Sequence, residues 1–185
     1  MTDAPVCLIA PARAHLDQYA DALARGWSPD NTRDVSAEQL AALRADPDAF
    51  LAGLVSQEGE ITLWDGRRVP KLPSVRRWIW DGSFCGVISL RHQPGTEELP
   101  EHVLGHIGYA VVPWKRRRGY ATAALRLMLD EAAALGLARV MVNCSDDNIV
   151  SRRVIMANGG VLARAFEHPA FPGETEMVFW VPTRR

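Results

Sequence analysis

Four consecutive cations and a glycine form the segment Lys115 to Gly119, which we call the basic turn. The run from Gly105 to Val112 before it predicts a β-strand, and the apolar residues after it recur at helical spacing. A helix that begins at Gly119 leaves its first amides without partners in the helix, and its dipole adds partial positive charge there. Arginine and lysine side chains bind phosphate oxygens well. The basic turn therefore predicts a site for a phosphate-bearing ligand.

Two common phosphate-binding patterns do not fit the basic turn. The spacing is neither GxxxxGKS/T nor GxGxxG, so an ATP-type loop and a dinucleotide fold are not supported. The alternative is a solvated basic loop, because charge runs often have only that role. Gly119 and the small Ala121 favour the ligand, since they let it approach the backbone. A formal net charge of −1 argues against general nucleic-acid binding.

The first half of the chain contains the signals for two helices and a hairpin. The sequence predicts a helix from Arg13 to Arg25 and a second helix that begins at a Ser36 N-cap and ends near Pro47. Residues 61–77 predict a hairpin or an extended loop. Two β-rich runs, Val75 to Trp80 and Ser83 to Arg91, flank Asp81-Gly82 and predict a β-hairpin.

The second half reads as strand, basic turn, helix, strand, helix, strand, strand. This order predicts a parallel strand pair with a right-handed crossover. Without repeats or a linker, residues 1–185 are expected to form one domain. The helix after Gly119 has one apolar face, formed by Ala121, Ala124, Leu125, Met128, Leu129 and Ala132. The later elements are strand Val140 to Cys144, helix Asn148 to Ala157, and strands Val161 to Phe166 and Glu176 to Val181.

Cysteine usage and the chain start bear on cellular location. The three cysteines, Cys7, Cys85 and Cys144, are far apart and form no CxxC pair. This spacing indicates neither a zinc ribbon nor a disulfide framework, and it favours a protein of the reducing cytoplasm. The start of the chain resembles neither a signal nor a transit peptide. No apolar run approaches the ~18 residues of a membrane span. His102 and His106 are four apart on a loop and strand without HExxH, so we expect no metal site.

Two motifs at a defined separation carry a family resemblance. The stretch GYAVVPWKRRRGYATAAL contains Arg/Gln-x-x-Gly-x-Gly/Ala at Arg116, Gly119 and Ala121, and NIVSRRVIMANGG begins at Asn148. Together they resemble the GNAT N-acetyltransferase superfamily. The resemblance covers about Trp78 to Phe166 and is weaker over the N-terminal third.

The resemblance implies an α/β (α+β) fold. Its centre is a mixed, mostly antiparallel twisted sheet of about seven strands with a splayed parallel pair at the cofactor site, and about four helices flank it. The implied acetyl donor is acetyl-CoA, whose pantetheine arm would lie along Val111 and Val112 like an added strand. Asn148 and Ser151 match positions that face this arm, although Asn148 is also a candidate helix N-cap. The pyrophosphate would rest on the amides of Arg117, Arg118, Gly119, Tyr120, Ala121 and Thr122.

The implied reaction is direct attack of a neutral primary amine on the thioester in a ternary complex. A backbone N–H near Val112 would stabilise the oxyanion. His106 stands about where many members have a glutamate base, and an ordinary histidine pKa near 6.5 suits that role. The alternative for His106 is a strand-end histidine with a satisfied hydrogen bond. The other base candidates are Glu97, Glu98, Glu101 and His102.

One departure concerns the general acid. Many members have a tyrosine where this chain has Ile155, so Tyr109, Tyr120 or Ser151 would protonate the thiolate, or it would leave unassisted. An acyl-CoA-binding sensor without catalysis therefore stays an alternative to the enzyme.

The acceptor amine is expected to be a small molecule or a peptide. The loop WSPDNTRD, residues 27–34, predicts one wall of its pocket, and HPAFPGE with EMVFWV the opposite wall. Whether the chain is a monomer or a homodimer stays open. The residues expected around the acceptor are Trp27, Asn31, Trp64, Trp78, Trp80 and Trp114, for which core packing is the alternative.

Overall fold

Strands and helices follow one another along most of the chain. The computed structural model describes residues 5–31, 33–63, 65–167 and 172–183. In these ranges the helices are α1 (Leu16–Ala24), α2 (Ser36–Ala45), α3 (Pro47–Val55), α4 (Tyr120–Ala134) and α5 (Ile149–Ala157). The strands are β1 (Cys7–Ile9), β2 (Glu60–Thr62), β3 (Arg68–Pro70), β4 (Ser74–Trp80), β5 (Phe84–Arg91), β6 (Ile107–Val111), β7 (Arg139–Ser145), β8 (Val161–Glu167) and β9 (Thr175–Pro182).

The strands form three sheets. The first has the order β1-β4-β5-β6, the second is the β2-β3 hairpin, and the third has the order β7-β9-β8. β1 runs antiparallel to β4, and β9 runs antiparallel to both β7 and β8. β6 and β7, which α4 connects, belong to different sheets. Just before β6 the His106 amide donates to the Met141 carbonyl of β7 at 2.7 Å.

Residue contacts divide the chain into two units that interleave along the sequence. The first comprises Met1–Ser56, Val75–Ser89 and Tyr109–Ala124. The second comprises Gln57–Ser74, Leu90–Gly108 and Leu125–Arg185. The expectation of one domain over residues 1–185 stays a prediction.

An aromatic cluster forms the core of the first unit. Tyr19 of α1 stacks on Trp78 of β4, with ring centroids 5.2 Å apart and planes 10° apart. Phe84 meets Tyr19, Trp27 and Trp78 edge-on, at 5.4 to 5.7 Å. The Tyr19 hydroxyl donates to Gln39 Oε1 at 2.6 Å and so ties α1 to α2. Trp27 and Trp78 are therefore core residues, as the packing alternative predicted.

The second unit is built on the antiparallel β7-β9-β8 sheet. Cys144 pairs with Met177, and Val142 pairs with Phe179. Residues of β7 that alternate along the strand are buried, and β8 is mostly exposed. A glutamate of β9, Glu176, is buried and accepts a hydrogen bond from Asn143 Nδ2 at 2.9 Å.

Several sequence predictions are confirmed. The Asp81-Gly82 hairpin joins β4 to β5, the hairpin expected within residues 61–77 is formed by β2 and β3 and begins one residue earlier, and the last two predicted strands form β8 and β9. The apolar face of α4 is buried at Ala124, Leu125, Met128, Leu129 and Ala132. The fold class is confirmed, with five helices and nine strands in the described ranges.

The region around α2 differs from its prediction. Ser36 is the first helical residue and not the N-cap, and its amide bonds to Asp34 Oδ1 at 2.8 Å. A third helix, α3, begins at Pro47 where the second helix was expected only to end. The Asp46 side chain caps α3 by accepting from the amides of Asp48 and Ala49. An aspartate followed by proline is a helix-start signal that the sequence offered.

No helix in the described ranges has both the length and the apolar character needed to cross a bilayer.

The aromatic cluster gives a stability prediction. Trp78 is 0% exposed, so Trp78→Ala should lower the free energy of unfolding by about 3–5 kcal/mol through lost burial and a residual cavity. Trp114→Ala is the matched control, because Trp114 is 40% exposed and contacts Arg25 by a cation–π interaction. The control should cost about 1 kcal/mol or less. Urea unfolding of both variants measures the difference, and equal losses would contradict the assignment of Trp78 to the core.

Candidate functional site

The basic turn leads directly from β6 into α4. After Val112 a short 3-10 segment covers Pro113–Lys115, and α4 begins at Tyr120. Arg117 and Gly119 both have positive φ, at 61° and 79°. The amide of Ala123 makes the first backbone bond of the helix, to the Gly119 carbonyl at 2.9 Å. The amides of residues 120–122 therefore have no carbonyl one turn back within α4.

Gly119 leaves the mouth of this helix open. A Cβ built on Gly119 would meet no atom within 4 Å, although the φ of 79° disfavours any other residue. The glycine thus permits the turn and also leaves room beside the helix amides. Exposed amides, a helix dipole and free space are the features of an anion-binding helix N-terminus. The geometry therefore fits a diphosphate at the predicted position.

The four cations of the basic turn have different partners. Lys115 Nζ lies 2.6 and 2.7 Å from the two carboxylate oxygens of Asp81 and is mostly buried. Arg116 Nε donates to the Val111 carbonyl at 3.2 Å. Arg117 and Arg118 are exposed. The run is therefore one structural lysine followed by three exposed arginines, and not four equivalent charges.

Asp81, in the β4-β5 turn, collects several donors. Tyr120 donates its hydroxyl to Asp81 Oδ2 at 2.5 Å, and Ser83 donates to Oδ1 at 2.9 Å. Lys115 Nζ also contacts Ser83 Oγ at 2.6 Å. Burial alone would raise the pKa of Asp81, but the hydrogen bonds from Lys115, Tyr120 and Ser83 hold this pKa well below its usual range. The carboxylate is therefore charged at neutral pH.

The two edges of β6 have different roles. The Val112 amide donates to the Cys85 carbonyl of β5 at 3.0 Å, and the Val112 side chain is fully buried. Consecutive residues of a strand point their amides to opposite edges, so the Val111 amide faces away from β5. The oxyanion donor predicted near Val112 therefore cannot be the Val112 amide in this conformation. The adjacent Val111 amide is on the open edge.

Gly86 allows β5 to approach β6 closely at this point. A Cβ on Gly86 would lie 2.2 Å from the Ala110 carbonyl oxygen, too near for any other residue. Gly86 was not among the predicted functional residues, although a glycine inside a strand pattern signals such a close approach.

The loop of residues 27–34 reaches the open edge of β6 through one side chain. Asn31 Nδ2 donates to the Tyr109 carbonyl at 3.2 Å. Ser28 organises the loop, because its hydroxyl donates to the carbonyls of Asp30 and Arg33 and accepts from the Val35 amide. The structure thus brings Asn31 to the strand predicted to carry the cofactor arm. Trp64 and residues 168–171 of the predicted acceptor walls lie outside the described residues.

Asn148 and Ser151 lie in the second unit, at the start of α5. Asn148 Oδ1 accepts from the Ser151 amide at 3.0 Å, so Asn148 is the N-cap of α5. This geometry confirms the capping alternative, and contact of either residue with a cofactor stays a prediction. Ile155 is fully buried on the same helix.

His106 is held just before β6 with its ring fully buried. Its Nδ1 accepts from the Met141 amide at 2.9 Å, so the neutral ring carries its proton on Nε2, a buried atom without a partner in the described part of the chain. Burial lowers the pKa of His106 to about 4, assisted by the nearby charge of Arg91. The ring therefore presents no free lone pair in this conformation. The base role of His106 stays a prediction, and this geometry weighs against it.

Other candidates for proton transfer are also engaged. Glu97 accepts from the Ala138 amide and from Arg139 Nε, at 3.1 and 3.0 Å. The Tyr120 proton is committed to Asp81, and this hydrogen bond with burial raises the pKa of Tyr120. Across the described ranges no group of three or more His, Cys, Asp and Glu side chains could hold a metal ion.

Three comparisons relate this chain to known proteins. The family model described as "Acetyltransferase (GNAT) domain" matches residues 27–161. No curated protein sequence matches the chain. Among solved structures, the chain is similar to RimL, the ribosomal L7/L12 alpha-N-protein acetyltransferase, in complex with coenzyme A, with a TM-score of 0.64 and 15% identity over 98% of this chain and 95% of that one.

Two further structures share the fold. The microcin C7 self-immunity acetyltransferase MccE, in complex with acetyl-CoA and AMP, has a TM-score of 0.60 and 12% identity over 98% of this chain and 93% of that one. A putative GNAT-family acetyltransferase from Bordetella pertussis has a TM-score of 0.58 and 15% identity over 98% of both chains. The family model covers most of the sequence and includes the whole of the basic turn, and the chain therefore belongs to the GNAT acetyltransferase family.

Proposed function

We propose that this chain is an N-acetyltransferase that moves an acetyl group from acetyl-CoA to a primary amine of a small molecule or peptide. The observation that carries the proposal is the start of α4, where the first amides have no carbonyl one turn back within the helix and Gly119 leaves open space. The family match and the coenzyme-bound neighbours support the same donor. When bound, acetyl-CoA supplies an activated thioester and a diphosphate by which it is held.

The basic turn would bind the diphosphate through its backbone. The amides of Gly119, Tyr120, Ala121 and Thr122 are at the helix start, and the left-handed Arg117 turns the chain toward them. Arg117 and Arg118 are exposed and supply positive charge and donors for phosphate oxygens. We infer that the pantetheine arm lies along the open edge of β6 at Val111, next to the buried Val112.

The transfer step needs one new bond and one broken bond. The lone pair of a neutral amine attacks the thioester carbonyl carbon, the C–N bond forms, and the C–S bond breaks as the thiolate leaves, while the proton that the nitrogen loses passes to the thiolate or to water. We infer that the Val111 amide donates to the carbonyl oxygen as it gains negative charge, because this amide lies on the edge of β6 away from β5.

The leaving thiolate needs little assistance. A thiol pKa near 8.5 makes the thiolate a tolerable leaving group at neutral pH. Ile155 has no proton to donate, and Tyr120 donates its proton to Asp81. Tyr109 and Ser151 stay candidates for the acid.

A second candidate function is an acyl-CoA-binding module without catalysis. The observations that favour it are the buried Ile155 and the occupied Nδ1 of His106. Calorimetry with acetyl-CoA combined with thiol release over a panel of amines separates the two functions. Binding with turnover supports the enzyme, binding without turnover supports the module, and no binding would reject both.

The amine panel should span amine pKa values and sizes. At neutral pH a peptide α-amine with a pKa of about 8 is much more often neutral than a lysine-type amine with a pKa of about 10.4. Amino acids, peptides with free N-termini and alkyl diamines therefore test both acceptor size and the need for a base.

The three cysteines are free thiols, which supports the cytoplasmic setting inferred from their spacing.

Gly119→Glu should abolish acetyl-CoA binding, because a carboxylate would occupy the space beside the helix amides and repel the diphosphate. Gly136→Glu is the matched control: its φ of 85° and open surroundings impose the same strain and the same added charge at the end of α4. Calorimetry should show no binding to the first variant and wild-type affinity for the second. Unchanged affinity in folded Gly119→Glu would place the site elsewhere.

His106 gives a prediction for the pH dependence of stability. Its folded pKa of about 4 lies below the ordinary value of about 6.5, so the unfolded chain binds more protons between these values. The resulting stability is present above pH 6.5 and is lost as the pH falls toward 4. The loss should reach about 3 kcal/mol, at about 1.4 kcal/mol per pKa unit. Urea unfolding across this range measures it.

The same histidine variant also tests catalysis. His106→Asn should flatten the stability slope between pH 6.5 and 4, and an unchanged slope would contradict the buried, neutral ring. An unaltered acid limb of kcat/KM in this variant would remove His106 from the reaction.

A further inference from the structure

We propose that Asp81 is a positioning residue that sets the conformation of the basic turn for the coenzyme, an inference that rests on the proposed function. Asp81 lies in the β4-β5 hairpin turn, 34 positions before Lys115. Its carboxylate contacts Lys115 Nζ at 2.6 and 2.7 Å and accepts from the Tyr120 hydroxyl at 2.5 Å. One side chain thus holds the residues on both sides of Arg116–Gly119.

The contacts of Asp81 with Lys115 and Tyr120 restrain residues 116–119 of the basic turn. Residues 116–119 include Arg117, a non-glycine residue at a φ of 61°, a conformation that an unrestrained loop would leave readily. Tyr120 is the first residue of α4, so its hydroxyl bond fixes the helix start against the hairpin. Lys115 fixes the other end. Preorganising a binding loop in this way lowers the entropy lost when the ligand binds.

Lys115 is oriented toward Asp81 and not toward a ligand. Its side chain is 14% exposed and that of Asp81 is 8% exposed, so water screens the pair weakly. Ser83 Oγ contacts both groups, at 2.6 Å from Nζ and 2.9 Å from Oδ1. Although burial lowers the pKa of Lys115, the bond to Asp81 raises it above the ordinary value, so the ion pair persists at neutral pH. The exposed arginines then provide the charge for the phosphates.

The first test is Asp81→Asn, which keeps the size of the side chain and removes its charge. We expect the KM for acetyl-CoA and the Kd for coenzyme A to rise roughly tenfold, the effect of losing one charge-assisted hydrogen bond. The KM for the amine and kcat at saturating acetyl-CoA should stay at wild-type values, which a general loss of folding would not give. Glu60→Gln, which breaks the exposed pair with Arg68, is the charge-matched control and should change none of these.

A double-mutant cycle separates positioning from direct phosphate contact. If Lys115 acts through Asp81, Lys115→Gln should weaken coenzyme binding in the wild-type background and change it less than twofold in the Asp81→Asn background. If Lys115 binds phosphate itself, the two losses will multiply, and this result would overturn the proposal.

If Asp81→Asn does not fold, Tyr120→Phe provides a second test, because it removes only one hydroxyl. We expect a threefold to tenfold rise in the Kd for coenzyme A. Wild-type affinity in both Tyr120→Phe and folded Asp81→Asn would overturn the proposal while leaving the proposed function intact. Failure of the wild-type protein to bind coenzyme A would overturn both.

Discussion

The start of α4, where the first helical amides follow Gly119, is the constraint on which the rest of this site depends. A helix must begin with amides that have no carbonyl one turn back within it, and here Gly119 leaves free space at the helix start. Four adjacent cations would repel one another, and a carboxylate neutralises one of them. Lys115 bonds to Asp81, and the three arginines stay near the surface. The positive charge of the arginines therefore lies near the helix amides, and the space beside Gly119 stays open.

The strand before the turn prepares a second binding surface. One edge of β6 pairs with β5. There the Val112 amide donates to the Cys85 carbonyl, and Gly86 permits the two strands to approach closely. The other edge has Asn31 at the Tyr109 carbonyl and Arg116 at the Val111 carbonyl. These side chains satisfy acceptors that an added strand of ligand would otherwise meet. If the coenzyme lies along this edge as proposed, its binding and the position of the 27–34 loop would be linked through the same carbonyls.

The sequence predicted what depends on local pattern and missed what depends on distant partners. The turn, α4 and the Asp81-Gly82 hairpin follow from glycine positions and apolar periodicity. The Asp81–Lys115 pair does not, because two residues 34 positions apart meet only after the sheet forms. The position of His106 next to β6 was predictable, but its burial and its bond to Met141 depend on β7. Helix α3 was missed although its Asp46-Pro47 signal is local.

The arrangement favours binding and orientation over proton transfer. A base must offer a free lone pair, and in His106 that pair accepts from a backbone amide. An acid must release its proton, and in Tyr120 that proton is held by a carboxylate that is itself bound to lysine. Acyl transfer from a thioester can proceed without a free base or acid, because the leaving thiolate is stable and orientation alone contributes a large part of the rate. For the proposed amine acceptor, the amine would then have to arrive neutral, and its own pKa would help to determine which acceptors react.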